Sequence, residues 1–112
     1  MDFIRTATEC GMVVGVGHTE ATPELVAAGL RAGLKVAIHW SNATGNLGQP
    51  HFAGTSCPGI DEAALDYDEL SAEIIPDRDG LHVHPLMARL LFKAKGANRI
   101  LVITRCGLSE TG

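Results

Sequence analysis

The sequence predicts an α/β fold in which parallel strands alternate with helices. Three observations carry that prediction. Short apolar runs of strand length recur along the chain, stretches of helical spacing fall between them, and a glycine or a proline-containing cap marks most boundaries. Such alternation gives a parallel sheet joined by right-handed crossovers. A chain of 112 residues has room for one small domain with a modest core, and residues 1–112 read as a single domain without linker or low-complexity tract.

Phe3, Ile4, Ala7 and Cys10 fall at helical spacing, and Gly11 is the expected stop of that first helix. Met12 to Val16 is a short apolar run of buried-strand type that ends in Gly17-His18-Thr19. Thr22-Pro23-Glu24 supplies an N-cap, a proline at the first helical position and an acid in the first turn. Leu25, Val26, Ala28 and Leu30 form the apolar side of that second helix, which Gly33 closes. Lys35 to Ile38 is the second strand and runs into His39. From Trp40 to Pro58 the chain is rich in Gly, Asn, Ser, Thr and Pro and reads as a long loop, a length that in compact domains usually accompanies function or disorder.

Ile60 to Leu70 carries a weak helical pattern, and Ala72 to Ile75 is a third, short strand. Asp77 to Gly80 reads as a turn leading into Leu81-His82-Val83-His84-Pro85. Pro85 to Lys95 is a helix with Leu86, Leu90, Leu91 and Ala94 expected inward and Gly96 as its stop. Ile100 to Ile103 is the last strand and ends in Thr104-Arg105.

The composition excludes several classes of function. The net charge is −4 and there is no basic cluster of the kind nucleic-acid binding requires. Arg89, Lys93, Lys95 and Arg99 are expected on a solvated face at the end of a helix, where cations suit the macrodipole. No apolar run approaches the roughly 18–20 residues of a membrane span. The opening segment has an acid at position 2 and no apolar core of a secretory signal. Cys10, Cys57 and Cys106 lack CxxC spacing and read as reduced thiols. The expected location is cytoplasmic.

The chemistry concentrates at the strand ends. His18 closes the first strand, His39 the second, His82 follows the third, and Thr104-Arg105 closes the fourth. Parallel strands put their C-terminal ends on one face, where the sites of such sheets form. Imidazole is the commonest metal ligand, so histidines from adjacent strands can share a divalent ion, although a histidine at a strand end also serves as a hydrogen-bonded structural residue. Pro85 makes His84 a helix-entry residue and leaves His82 as the better site candidate. The glycines of Gly15-Val16-Gly17 do not make a dinucleotide fingerprint, no P-loop is present, and neither Ser41 nor Ser109 sits in a nucleophile elbow. A cation beside Cys106, Arg105, favours its thiolate, yet a buried inert thiol is the plainer reading.

Several segments in order resemble one family. Gly17-His18-Thr19-Glu20-Ala21-Thr22 resembles the GHTxAT segment of N-acetylglucosamine-6-phosphate deacetylases, which are amidohydrolases. His39-Trp40-Ser41-Asn42-Ala43 is similar to their H-x-x-N-A motif, and Pro58-Gly59 with Ala63-Ala64-Leu65-Asp66 to their PG…AALD stretch. Glu73-Ile74-Ile75 with Asp79-Gly80-Leu81-His82-Val83-His84-Pro85 resembles their E-[LI]-I…DG-x-H-V-H-P run. Ile100 to Thr104 resembles the strand that ends in their TDA motif.

The resemblance implies part of a (β/α)8 TIM-type barrel, its C-terminal part, since a whole barrel needs about 250 residues. It implies His18 and His39 as ligands of a divalent metal, usually zinc, with a further glutamate ligand upstream of the matched region. Asn42 and Ala43 would lie by the sugar phosphate, and His82 would bind and polarise the N-acetyl group. The implied reaction is hydrolysis of the acetyl amide of N-acetylglucosamine 6-phosphate by metal-activated water, in amino-sugar catabolism. Three departures stand against full activity: the upstream glutamate is outside the match, Arg105 occupies the place of the family's catalytic Asp, and Ser56-Cys57 stands where an arginine usually holds the phosphate. A guanidinium does not accept a proton.

Two functional expectations follow, with a divergent amidohydrolase of another substrate as a third. One is a deacetylase-type hydrolase, incomplete or impaired in this chain. The other is a catalytically inactive barrel fragment that binds a sugar phosphate or a partner protein. A partial barrel has open strand edges, so a homo-oligomer or association through those edges is expected as well.

Overall fold

A computed structural model of the chain describes residues 1–42, 57–76 and 82–104. Among the described residues, four strands and four α-helices follow one another as α1 (Asp2–Glu9), β1 (Val14–Val16), α2 (Pro23–Ala32), β2 (Leu34–Ala37), α3 (Ile60–Asp66), β3 (Ser71–Ile74), α4 (Pro85–Lys95) and β4 (Ile100–Val102). A single 3₁₀ turn, Ala97–Arg99, leads into β4 and is the one element the sequence pattern did not suggest. The strands form one sheet in the order β1-β2-β3-β4, and every neighbouring pair is parallel. The expected α/β alternation is therefore the observed one.

The element boundaries follow local chemistry. Thr22 caps α2 by accepting a hydrogen bond from the Leu25 N–H at 3.2 Å, with Pro23 as the first helical residue. α4 starts the same way: His84 is its N-cap and its Nδ1 accepts from the Leu86 N–H at 3.0 Å. At α3 the Glu62 carboxylate reaches back to the Gly59 N–H at 2.7 Å, the half of a capping box that a glycine cap permits. Gly33 (φ 121°) and Gly96 (φ 76°) end α2 and α4 in left-handed backbone.

Gly15 in β1 and Gly17 just after it sit where the neighbouring segment leaves no room for a side chain. A Cβ at Gly15 would lie 2.9 Å from Val36 Cγ1, and one at Gly17 would run into Ile38 Cγ1 and sit 2.8 Å from its Cδ1. Both positions lie against branched side chains of β2 and the residue that follows it, Val36 and Ile38. The pairing of β1 with β2 shifts register between Val14 and Gly15.

The core lies between the sheet and its helices. Leu34, Ala37, Ala72 and Ile74 of the sheet meet Val26 of α2, Ile60, Ala63 and Ala64 of α3, and Leu91 of α4. Its largest member is Trp40, 1% exposed, whose Nε1–H donates to the Asp61 carbonyl at 3.0 Å. The long loop was expected to begin at this tryptophan; the ring instead closes the core, and a polar partner for the indole makes that burial stable.

Several inward faces differ from expectation. On α4 only Leu91 of the four expected residues is buried; Leu86, Leu90 and Ala94 are exposed, while Met87 and Ala88 pack against the core. On α2 the buried residues are Val26, Gly29 and Ala32, and Leu25 is exposed; on α1 Ala7 is buried and Phe3 and Cys10 are exposed. Each helix carries apolar residues on more than one face, so spacing alone does not select the face that docks.

Lys95 also departs from the solvated face assigned to it. Its Nζ donates to the carbonyls of Ala64 at 2.7 Å and Tyr67 at 2.9 Å, at the C-terminal end of α3. A cation there satisfies orphan carbonyls and suits the negative end of the dipole. Burial holds its pKa below the usual lysine value, with the Asp68 carboxylate pulling the other way. Arg89, Lys93 and Arg99 are exposed as expected. No helix among the described residues is long and apolar enough to cross a membrane.

Candidate functional site

The site is built where the first two strands run out. Beyond β1 and β2 the ladder continues for one more bond, from the Ile38 N–H to the Val16 carbonyl at 2.9 Å. His18 follows two residues after β1, and His39 two residues after β2. Because the strands are parallel neighbours, both histidines emerge on the same face. Their rings lie 4.3 Å apart between centroids, tilted by 58°.

Their backbones explain how they meet. Three non-glycine residues in the described chain have positive φ: His18 (48°), His39 (33°) and Ser41 (64°). Left-handed backbone costs an L-residue roughly 1–2 kcal/mol, and such strain persists where surrounding bonds over-determine it. All three follow the ends of two adjacent strands, His18 after β1 and His39 and Ser41 after β2.

The surrounding bonds are visible. The His39 N–H donates to Glu73 Oε1 at 3.2 Å, the Trp40 N–H to the Glu73 carbonyl at 2.7 Å, and the Ser41 N–H to Asp61 Oδ1 at 3.2 Å. Next along the chain, the Asn42 N–H returns to the His39 carbonyl at 3.0 Å, closing a tight turn. The Asn42 side chain reaches the His82 carbonyl at 3.2 Å. The structure thus brings His39, Asn42 and the His82 segment together through hydrogen bonds, with His18 against His39.

Does this corner suit a metal ion? His39 Nδ1 is buried and has no hydrogen-bond partner among the described residues. A buried, unpaired imidazole nitrogen costs free energy unless it finds a partner, and a cation is one. Two rings this close are compatible with a shared ion at the imidazole–zinc bond length of about 2.0–2.1 Å. Among the described residues, however, no group of three or more His, Cys, Asp or Glu side chains is placed to hold a metal. The pair fits half of a zinc coordination shell.

The other expected residues fall as follows. His82 is half-buried, while His84 is exposed and spends its ring nitrogen on the α4 cap. Ala43, Arg105, His51, Ser56 and the Asp77–Gly80 turn lie outside the described residues. Glu73 and Asp61 had no role in the sequence reading. A signal for Glu73 existed: it is a lone acid within the apolar run Ala72 to Ile75, and acids at such positions are rarely left unpaired. A cavity of about 270 Å³ lies against α1, α2 and β1; Phe3, Ile4, Val14, Val16, Leu25 and Val26 line it, together with Thr19, the residue next to His18.

Comparison with known proteins supports the resemblance that the motifs carried. No family model matches the chain. The N-acetylglucosamine-6-phosphate deacetylase of Bacillus subtilis (strain 168) is 32% identical over 103 residues, which is 92% of this chain and 24% of that protein. An N-acetylgalactosamine-6-phosphate deacetylase of Shewanella sp. (strain ANA-3) is 29% identical over 101 residues, 90% of this chain and 24% of its own length. Among solved structures, a mutant N-acetyl-D-glucosamine-6-phosphate deacetylase from Mycobacterium smegmatis, in complex with N-acetyl-D-glucosamine-6-phosphate, superimposes with a TM-score of 0.74 at 31% identity. That match covers 91% of this chain and 25% of the other. The chain thus spans about a quarter of the length of the relatives it matches, and over nearly all of its own length it is similar to N-acetylglucosamine-6-phosphate deacetylases in sequence and in fold.

Proposed function

We propose that this chain carries part of the active site of a metal-dependent amidohydrolase that removes the acetyl group from N-acetylglucosamine 6-phosphate. The observation that carries the proposal is the histidine pair: His18 and His39, 4.3 Å apart at the ends of adjacent parallel strands, within a stretch similar to deacetylases of acetylated amino-sugar phosphates. The strand order supports a segment of a (β/α)8 barrel. It runs β1-β2-β3-β4 without the reversal that marks a doubly wound sheet, and successive helices pack on one another, α1 on α2, α2 on α3 and α3 on α4.

In this reading His18 and His39 hold a divalent ion, probed best with zinc, through neutral imidazole nitrogens; His39 Nδ1 is the one buried and unspent. When bound there, such an ion would supply Lewis acidity and would activate water for attack on the amide. Asn42 and Ala43 flank the sugar phosphate, and His82 orients the N-acetyl group. Hydrolysis breaks the amide C–N bond, with the water oxygen passing to acetate and a proton to the leaving amine. The resemblance assigns that proton transfer to position 105, where this chain carries arginine. A guanidinium neither takes up nor returns the proton, so turnover by this chain is impaired while ligand binding is kept. The setting in this reading is cytoplasmic amino-sugar catabolism.

A second reading is a non-catalytic chain that binds a sugar phosphate or a protein. It is favoured by the two-ligand limit among the described residues and by the exposed Leu101 and Val102 of β4, which leave an apolar strand at the end of the sheet. That strand also suits a second copy of the chain.

The test is calorimetric titration of the zinc-loaded chain with N-acetylglucosamine 6-phosphate, paired with an acetate-release assay on wild type and Arg105→Asp. The expected result is binding by both, weakened in Asn42→Ala, with acetate release rising by roughly 10²–10⁴ in Arg105→Asp, the range a positioned general base contributes. Binding without any gain of turnover selects the non-catalytic reading. Absence of sugar-phosphate binding in both proteins rejects the proposal.

A further inference from the structure

Three consecutive backbone N–H groups, of His39, Trp40 and Ser41, point at two acidic residues from other parts of the chain. Glu73 in β3 takes the first with Oε1 at 3.2 Å and the second with its own carbonyl at 2.7 Å. Asp61 in α3 takes the third with Oδ1 at 3.2 Å, and its carbonyl receives the Trp40 indole N–H at 3.0 Å. The segment they hold is the one with left-handed backbone at His39 and Ser41. A strained turn reverts to ordinary backbone unless its donors are taken up by acceptors at fixed positions. Here the acceptors sit on the neighbouring strand and on a helix packed into the core through Ile60, Ala63 and Ala64.

We propose that Glu73 is a positioning residue for the histidine pair: its carboxylate holds the His39 backbone in the left-handed turn that lays the His39 ring against His18, with Asp61 fixing the far side of the same turn. This deepens the metal-site reading given above and, where zinc is concerned, rests on it. The carboxylate acts on the backbone N–H and not on the imidazole, so it sets where the ring is rather than which nitrogen is protonated. Its position on β3 is specific. Ala72 and Ile74, on either side of it, point into the core, so Glu73 lies on the opposite face of the strand. A residue of this reach bridges from β3 to the exit of β2 one residue before the point where the Trp40 N–H meets the Glu73 carbonyl.

The experiment compares wild type with Glu73→Ala, Glu73→Gln and Glu73→Met. Glutamine keeps an acceptor oxygen at the same reach, and methionine keeps the volume and flexibility without the acceptor. Two readouts separate the proposal from a general loss of structure. Amide hydrogen exchange at His39, measured without metal, reports the bond itself. Zinc affinity, measured by competition with a chromophoric chelator, reports its consequence at the site.

The expected result is His39 exchange accelerated roughly ten- to hundredfold in the alanine and methionine variants, the range of a charge-assisted hydrogen bond. Zinc affinity falls by about 10–100-fold in both, as when a supporting group behind a metal ligand is removed. Glu73→Gln keeps a neutral acceptor worth about half as much and falls by only about three- to tenfold on both readouts. Unchanged His39 exchange in Glu73→Ala or Glu73→Met overturns the proposal, as does a glutamine variant that falls as far as alanine. If Glu73→Ala does not fold, the methionine variant decides. Wild type that binds no zinc removes the metal-site reading, and His39 exchange then decides this inference by itself.

Discussion

Gly17→Ala is the substitution whose effect the structure fixes most tightly. The new Cβ would run into Ile38 Cγ1, sit 2.8 Å from Ile38 Cδ1 and approach His39 Cε1 at 3.3 Å. Carbon atoms prefer about 3.5–4.0 Å, so the overlap with Cδ1 alone is close to 1 Å. Gly17 is not among the glycines with positive φ, so alanine carries no backbone penalty there. On chain entropy alone it would stabilise, by roughly 0.4–1 kcal/mol. Any net loss is therefore steric. Overpacking of this degree costs about 1–3 kcal/mol, which for a domain of this size lowers the thermal midpoint by roughly 5–20 °C. The decisive control is Ile38→Ala, which removes both offending carbons. Thermal and urea unfolding of the two single variants and the double variant should give a favourable coupling of about 1–2 kcal/mol. Strict additivity, or a Gly17→Ala protein as stable as wild type, refutes the packing argument. Because the displaced atoms adjoin His39, zinc affinity should fall in Gly17→Ala and return in the double variant.

Other substitutions probe separate parts of the fold. Trp40→Phe removes the bond to the Asp61 carbonyl and some volume and should cost about 1–2 kcal/mol, with Trp40→Ala nearer 3–5 kcal/mol, both read from urea unfolding. Lys95→Met strips two hydrogen bonds from the last carbonyls of α3 and should destabilise by about 1–2 kcal/mol while leaving the sugar-phosphate titration unchanged. His84→Ala removes the α4 cap, with an expected cost of about 1 kcal/mol and no change in zinc affinity; a loss of zinc would instead make His84 a ligand.

The sequence yields those parts of the molecule that depend on local chemistry. Pro23 and Pro85 at first helical positions, Thr22 as a cap, and Gly33 and Gly96 as stops appear in the structure where their preferences put them. The strands were readable as short apolar runs, and parallel pairing then placed His18 and His39 on one face before any coordinates. What spacing left open was which side of an apolar helix faces inward. In α4 Leu86, Leu90 and Leu91 fit two faces, and the choice falls to the packing of α3 and Trp40.

The polar scaffold was the least readable part of the site. The bond between His39 and Glu73 spans 34 positions in the chain and that between Ser41 and Asp61 spans 20. Neither leaves a periodic signature. The left-handed backbone at His18 and His39 was hidden as well: histidine enters that region more readily than most side chains, yet it does so in only a small minority of positions, so its presence does not mark one. Asn42 was readable as a site residue from its motif, but its tie to the His82 carbonyl was not.

The central claim is that His18 and His39 share one divalent ion, and elemental analysis of the purified chain after zinc loading and dialysis tests it most directly. The account predicts about one zinc per chain in wild type, with the metal lost in His39→Ala and in His18→Ala while both variants remain folded by circular dichroism. Wild type without stoichiometric zinc, or a His39→Ala protein that retains it, would contradict the claim.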